Sequence, residues 1–460
     1  MMKKKYIFLS VLLLFALILF VLKNKKEVSR PNVILIMADA LRPDHMSCYG
    51  YARLTSPSLD VFAESSTLYR SVFSSASWTI PSGYSLLTSL TPAEHRMRSW
   101  GSVLDARTPN IISSLRKNGY SVGLFGDQDL FFKNIEQNFG DALNSFHISL
   151  DPPDATKRAL QWVDSQKAPF FLWIYYLEPH RPYRPPAPYN RVFAAHSGTH
   201  LPIKKTEKSY EGGWGYLPEM LVENNIDDPA YYVAQYDGAI RYVDNEIGKF
   251  LKALKEKNQF DRSLIIFTSD HGESLGEHGL YFNHLFTLFN EIVKVPLLIK
   301  EPWQKRGRIV RENAGLMDVF PTICDVVGLK KPESLKGLSL AGALPKDRPF
   351  MASAAPLGRE WVVALIKGDW KLIKYVDSLG EDTNYIKTFF PQYPGILYQL
   401  FNIEKDPLES ENLIEERNDV FLRLRQYLSE EEVAGREAEV GAFELDEDFT
   451  KRLRSLGYGQ

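Results

Sequence analysis

"NVILIMAD", Asn32 to Asp39, is an unbroken apolar run closed by an acid. A strand with one wet face alternates apolar and polar residues. A run without alternation suits a strand buried on both faces, as in a parallel sheet. The same texture returns in "SVGLFGD" (Ser121–Asp127), "FFLWIYYLEPH" (Phe170–His180), "SLIIFTSDHG" (Ser263–Gly272) and "VPLLIK" (Val295–Lys300). Helical patterns lie between them: "TPNIISSLRKNG", with Gly119 as its stop, and "AIRYVDNEIGKFLKALKEK", apolar at helical spacing. Strands alternating with helices predict an α/β fold, a mostly parallel sheet between helices.

The chain has 460 residues, enough for a large core and two or three structural units. A net charge of −2 gives no sign of nucleic acid as a partner. Two cysteines, Cys48 and Cys324, exclude a disulfide framework and a Cys-rich zinc module. The N-terminus stands apart. Lys3, Lys4 and Lys5 precede "YIFLSVLLLFALILFVL", Tyr6 to Leu22, which is free of charge. As a helix it would measure about 26 Å, just enough to span a hydrocarbon core. No small-x-small cleavage pattern and no cysteine for a lipid follow it. The expectation is one uncleaved transmembrane helix within an anchor over residues 1–30.

Residues 31–345 are read as the catalytic α/β domain. Within it, Pro182 to Pro229 is rich in Pro, Tyr, Gly and charge, the composition of a lid or substrate-binding excursion. Past about Pro345 the texture changes. "WVVALIKGDWKLIKY" and "ILYQLFNIEKD" read as antiparallel strands, with a helix around Asn418 to Glu430. This predicts a small C-terminal α+β subdomain over 346–430 and a tail over 431–460.

In open α/β sheets, ligands gather outside the carboxyl ends of the strands. Asp39 closes the first strand, and Asp270 with His271 closes "SLIIFTSD". Thr79 lies in "SASWTIPSGYSLLTSL", Ser75 to Leu90, just ahead of Pro81, a residue suited to the first turn of a helix. Two carboxylates, an imidazole and a hydroxyl at one edge would make a divalent-metal site, and the helix N-terminus behind Thr79 would favour an anion. Each residue alone has a plainer reading. An Asp ending a strand is often a helix cap, "DHG" is a turn, and "TIPS" merely starts a helix. Their joint presence in one α/β chain is what points to a site.

Further stretches then fall in a recognisable order: "NVILIMADALRPDHMSCYGY", "TIPSGYSLLTSLTPAEH", "YLEPHRPY", "YDGAIRYVDNEIGKFL", "TSDHGESLGEHG", "HLFTLFNEIVKVPLLIK", "GLMDVFPTICDVVGL" and "LYQLFNIEKDPLESENL". Together they resemble the sulfatase family of the alkaline phosphatase superfamily, over nearly everything from Pro31 onward. The resemblance implies that family's fold and an ester-bond hydrolase. The departures are specific. The family's nucleophile position, Cys or Ser oxidised to formylglycine, is Thr79, whose secondary alcohol would oxidise to a ketone. Gly83 stands at the signature arginine, Ala40 at the second paired acid, and "GDQDL" (Gly126–Leu130) where the family often has a Gly-Lys-Trp-His stretch.

Relatives that transfer phosphoglycerol or phosphoethanolamine use a threonine nucleophile with an acid, Asp and His as metal ligands. The resemblance therefore implies Asp39, Thr79, Asp270 and His271 as ligands of one divalent ion, without formylglycine. Zinc or manganese suits this donor set better than calcium or magnesium. His180 and His284 resemble positions that hold the oxyanion or protonate the leaving group. His278 reads as a supporting residue, and His196 and His200 as bystanders.

The leading expectation is a membrane-anchored, metal-dependent hydrolase of a sulfuric or phosphoric ester, using a metal-activated Thr79 nucleophile. It would be single-pass, with an extracytoplasmic catalytic domain and an anionic ester as substrate. The alternatives are a phosphoglycerol- or phosphoethanolamine-type transferase acting on envelope glycans or lipids, and a pseudoenzyme that keeps the fold as a binding module.

Overall fold

A computed structural model describes residues 30–126, 129–149, 151–167, 169–205, 213–354, 362–375 and 397–434. Its centre is an eight-stranded sheet built from β1 (Asn32–Ala38), β2 (Thr67–Tyr69), β3 (Ser121–Gly126), β4 (Ser145–Ile148), β5 (Phe170–Tyr176), β6 (Ser263–Thr268), β7 (Leu297–Lys300) and β8 (Arg308–Val310). The spatial order is β8-β2-β7-β6-β1-β5-β3-β4. All strands but β7 run the same way.

β1 shows why its sequence does not alternate. Val33, Leu35 and Met37 enter one core, while Ile34, Ile36 and Ala38 enter the other. The first core is filled from the Thr79–Thr88, Ile111–Lys117 and Val319–Val327 helices, through residues such as Ile80, Tyr84, Ile112 and Phe320. The second lies under Pro57–Ala63, Pro152–Ser165 and Pro229–Glu256, through Phe62, Val163, Tyr236 and Ile247. With both faces covered, the polar residues of β1, β5 and β6 need partners within the protein, as Asn32 finds in Gln259 and Thr268 in the Pro296 carbonyl.

Two expectations are corrected. "VPLLIK" belongs to the sheet but runs antiparallel to β6 and β2. After β6 the chain stays at the carboxyl edge, where Asn290–Val293 makes a single helical turn, and no long helix carries it back to the other edge. A chain that re-enters from the edge it left must run antiparallel. The transmembrane helix is the second correction. No helix among the described residues is long and apolar enough to cross a membrane. The longest, Pro229–Glu256, buries one stripe against the sheet and carries Arg241, Lys249, Lys252 and Lys255 elsewhere on its surface. The segment Tyr6–Leu22 lies outside the described residues. Membrane anchoring, the membrane as a partner and the single-pass placement therefore leave the account.

The C-terminal strands Pro349–Ala354, Val362–Lys367, Trp370–Tyr375 and Tyr398–Asn402 form an antiparallel sheet in that order. One face, including Ala364, Ile373 and Phe401, joins the first core of the main sheet. The other packs Val363, Leu365 and Leu400 against Val420, Leu424 and Leu428 of the Asn418–Ala434 helix. A buried ion pair ties this unit to the carboxyl-edge loops. Lys371 Nζ lies 2.8 Å from Glu409 and donates to the Leu288 carbonyl at 2.9 Å and to Asn290 Oδ1 at 3.0 Å. Burial pulls the ammonium below its ordinary range and pushes the Glu409 carboxyl above its own, so each ion depends on the other. Lys371→Ala, which leaves Glu409 charged and alone, is expected to cost about 3–5 kcal/mol in chemical denaturation, and Lys371→Met paired with Glu409→Gln clearly less. Equal losses for the two variants would contradict this account.

Candidate active site

β1 and β6 are parallel neighbours, with Met37 opposite Thr268. Two residues further on, the same register sets Asp39 beside Asp270 at the carboxyl edge. The Asp39 amide donates to the Tyr176 carbonyl at 2.9 Å, which fixes the first turn out of the sheet. Thr79 opens the Thr79–Thr88 helix after Trp78, whose side chain makes no cap. Ser82, in the first turn of that helix, donates to the Asp270 carbonyl at 2.6 Å and locks the helix start to the β6 loop.

The four residues converge. His271 Nε2 is 3.3 Å from Thr79 Oγ1, 3.4 Å from Asp39 Oδ1 and 3.5 Å from Asp270 Oδ2. Asp39, Asp270 and His271 are fully buried and Thr79 nearly so. The other ring nitrogen, Nδ1, lies 2.8 Å from the Gly272 carbonyl, which can only accept, so Nδ1 carries the proton. Nε2 then presents a lone pair to two carboxylates and a hydroxyl. Asp270 is aimed by its surroundings. Its Oδ1 accepts from the amides of His271 at 2.9 Å and Ala40 at 3.3 Å, and its Oδ2 from the Tyr175 hydroxyl at 3.0 Å. Burial, and then the charges of Asp270 and Asp39, hold the Tyr175 phenol well above its ordinary range, so it stays a donor.

This donor set fits a divalent cation. One ligand atom each from Asp39, Asp270 and His271 lies within 4.8 Å of the others in a buried site, and the imidazole already has the tautomer a metal requires.

The two further histidines stand alongside. His284 lies over His271 with ring centroids 4.3 Å apart, and His180 meets His284 at 5.1 Å. Each is fixed through Nδ1, His180 by the Arg181 carbonyl at 2.7 Å and His284 by the Glu273 carboxylate at 3.0 Å. All three imidazoles thus hold Nδ1 against an acceptor. Burial holds His180 and His284 well below their ordinary range, helped in His180 by His284 and in His284 by His271 and Arg181. Glu273 and Tyr175 escaped the sequence reading. Glu273 could have been suspected from "DHGE", a buried acid two residues after a ligand. Tyr175 sits inside an apolar strand and carries no such mark.

The departures have structural counterparts. Ala40, with φ of 57°, offers only a methyl group, yet its amide donates to Asp270. A Cβ at Gly83 would overlap the Phe131 ring, so aromatic packing occupies the place of the signature arginine. Of "GDQDL", Asp127 and Gln128 lie outside the described residues. His278 stacks on Phe289 at 3.6 Å and bonds Glu291 at 2.9 Å, while His196 and His200 are exposed beside Asp228 and Asp227.

A family profile described as Sulfatase matches residues 31–329. An arylsulfatase of Clostridium perfringens is 25% identical, over 89% of this chain and 95% of the relative. The multifunctional alkaline phosphatase superfamily protein PehA of Trinickia caryophylli is 26% identical, over 84% and 91%. Among solved structures, the phosphonate monoester hydrolase of Agrobacterium radiobacter superposes with a TM-score of 0.65 at 22% identity, covering 88% of this chain and 95% of its own. A protein in complex with its substrate D-glucosamine-2-N,6-O-disulfate superposes with a TM-score of 0.70 at 18% identity, covering 89% and 98%. With that profile spanning most of its length and a buried metal-type donor cluster at the carboxyl edge of its sheet, the chain belongs to the sulfatase family and is a hydrolase of ester bonds.

Proposed function

We propose that the protein hydrolyses a sulfuric or phosphoric ester with Thr79 as the nucleophile, on a site that binds one divalent ion. The observation that carries this reading is the 3.3 Å approach of Thr79 Oγ1 to an imidazole nitrogen already flanked by Asp39 and Asp270. Those three residues, with Thr79, would hold the ion. Two carboxylates, an imidazole and a hydroxyl favour zinc or manganese over calcium or magnesium. When bound, the ion lowers the pKa of a nearby hydroxyl and neutralises charge on the group under attack.

The chain's own groups do the rest. The N-terminus of the Thr79–Thr88 helix would contribute a positive field beside Oγ1, where the ester's anionic oxygens would sit. Thr79 Oγ1 forms a bond to sulfur or phosphorus as the bond to the departing alcohol breaks. The Thr79 hydroxyl proton would pass to Nε2 of His284, aligned by Glu273, or of His180, each neutral with its own proton on Nδ1, and from there to the departing alcohol. Water then cleaves the threonine ester, releasing sulfate or phosphate and restoring the hydroxyl. The named activities of the relatives, arylsulfatase and phosphonate monoester hydrolase, bracket the esters to try first.

Thr79→Ala is expected to lower kcat/KM on aryl sulfates, phosphate esters and phosphonates by about 10³-fold or more, with Thr79→Ser retaining part of it. Mass spectrometry of quenched reactions should place a sulfo or phospho group on the Thr79 peptide. Unchanged turnover by the alanine variant would remove Thr79 from the mechanism.

Metal removal gives a second check. Zinc or manganese at about a thousand times its dissociation constant should raise stability by about 4 kcal/mol, which a thermal melt reads without any substrate. Asp39→Asn should abolish that rise, and a variant that still gains the full shift would take Asp39 out of the ligand set.

A further inference from the structure

A cavity of about 350 Å³ has a wall that includes Arg70, Lys294 and Arg311. The topology explains their company. Arg70 directly follows β2, Arg311 directly follows β8, and Lys294 precedes the antiparallel β7. All three therefore stand at the carboxyl edge that carries Asp39 and Asp270. Strands are about 4.8 Å apart, so the cavity lies about 10–15 Å along that edge from the cluster between β1 and β6. Arg42, three residues beyond Asp39, lines the cavity as well.

The cavity also has acids, and most are engaged. Asp44 and Glu277 lie 2.7 and 2.8 Å from Arg42, and Glu291 lies 2.9 Å from His278. The cations Lys294 and Arg311 have no ion pair among the described residues. Arg70 donates to the Tyr49 carbonyl at 2.9 Å, while its Nε is buried without a hydrogen-bond partner among the described residues. Burial pulls the Lys294 ammonium below its ordinary range, against the opposing charges of Asp44, Glu404 and Glu409. Exposed Glu404 is the remaining acid of the wall.

We propose that this cavity is a second anion-binding subsite, which takes a further sulfate, phosphate or carboxylate group of an elongated substrate whose scissile ester lies at the Asp39–Asp270–His271 cluster. The inference rests on the reading that the substrate is an anionic ester. Three cationic side chains with donors to spare give the charge-assisted contacts an oxyanion needs. Their place on the same edge lets one linear molecule reach both sites. Such a substrate would carry at least two negative groups, set apart by more than a single sugar ring or its equivalent.

The test uses two linear tetrasaccharides, one with a sulfate on each terminal sugar and one with a sulfate on a single terminus. Binding is measured by calorimetry on the full chain bearing Thr79→Ala, so turnover is not needed. The doubly sulfated ligand should bind at least tenfold more tightly. Lys294→Gln combined with Arg311→Gln should erase that advantage, while the singly sulfated ligand shifts by less than twofold. Arg70 is left intact because it holds Tyr49, and a thermal melt confirms folding. An equal loss for both ligands, an advantage that survives the double substitution, or no advantage at the outset overturns the subsite. Inorganic sulfate competing equally against both ligands would assign the cavity to free anion and overturn the tethered reading. Hydrolysis of a small aryl ester reports the catalytic proposal separately, so failure of one reading is distinguishable from failure of the other.

Discussion

Two carboxylates and an imidazole lone pair are buried together, with the three ligand atoms within 4.8 Å of one another. At an effective dielectric of about 20, two like charges at that distance repel by about 3 kcal/mol. The surrounding structure works to keep them there. Backbone amides of Ala40 and His271 and the Tyr175 hydroxyl aim Asp270, and the Gly272 carbonyl turns Nε2 of His271 inward. A fold that spends hydrogen bonds on holding acceptors face to face is arranged for a cation, and the rest of the site follows from that arrangement.

The scaffold makes the crowding tolerable. β1 and β6 are inner strands, in register and covered on both faces, so the turns that leave them start from fixed points. The Thr79–Thr88 helix is tied to one of those turns through Ser82, which brings the hydroxyl of Thr79 to the imidazole. The C-terminal sheet adds a brace from below. It shares the first core, and Lys371 reaches the backbone of Leu288 inside the loop that follows His284. Stability of the C-terminal unit and geometry of the site are thus linked through one buried ion pair.

The three histidines show a common device. Each has Nδ1 bonded to an acceptor close by, which fixes the ring orientation. Two of those acceptors are main-chain carbonyls of the adjacent residue and one is Glu273. Beside them, the arginine expected at position 83 gives way to glycine under Phe131. No guanidinium stands at that position to stabilise charge.

Much of this was legible in the linear chain. Unbroken apolar runs ending in Asp39 and Asp270 announce inner strands and their carboxyl edge, because burial on both faces removes the polar alternation. The order of short motifs points to the family, and Thr79, Asp39, Asp270 and His271 could be named as one set. The apolar N-terminal run suggested a membrane, whereas the long helix that is described is amphipathic and packs on the sheet. The chain order could not show the reversal of β7, because direction depends on which edge the chain re-enters. Nor could it reveal Tyr175, Glu273 or the meeting of Arg70, Lys294 and Arg311, which are far apart in sequence and adjacent only once the strands are ordered. The amino-acid sequence determined which residues would be buried and which chemistry they carry, since hydrophobic period and side-chain type are local properties. Only the tertiary structure decided distance and orientation, since those come from strand register and packing between parts of the chain that no local pattern connects.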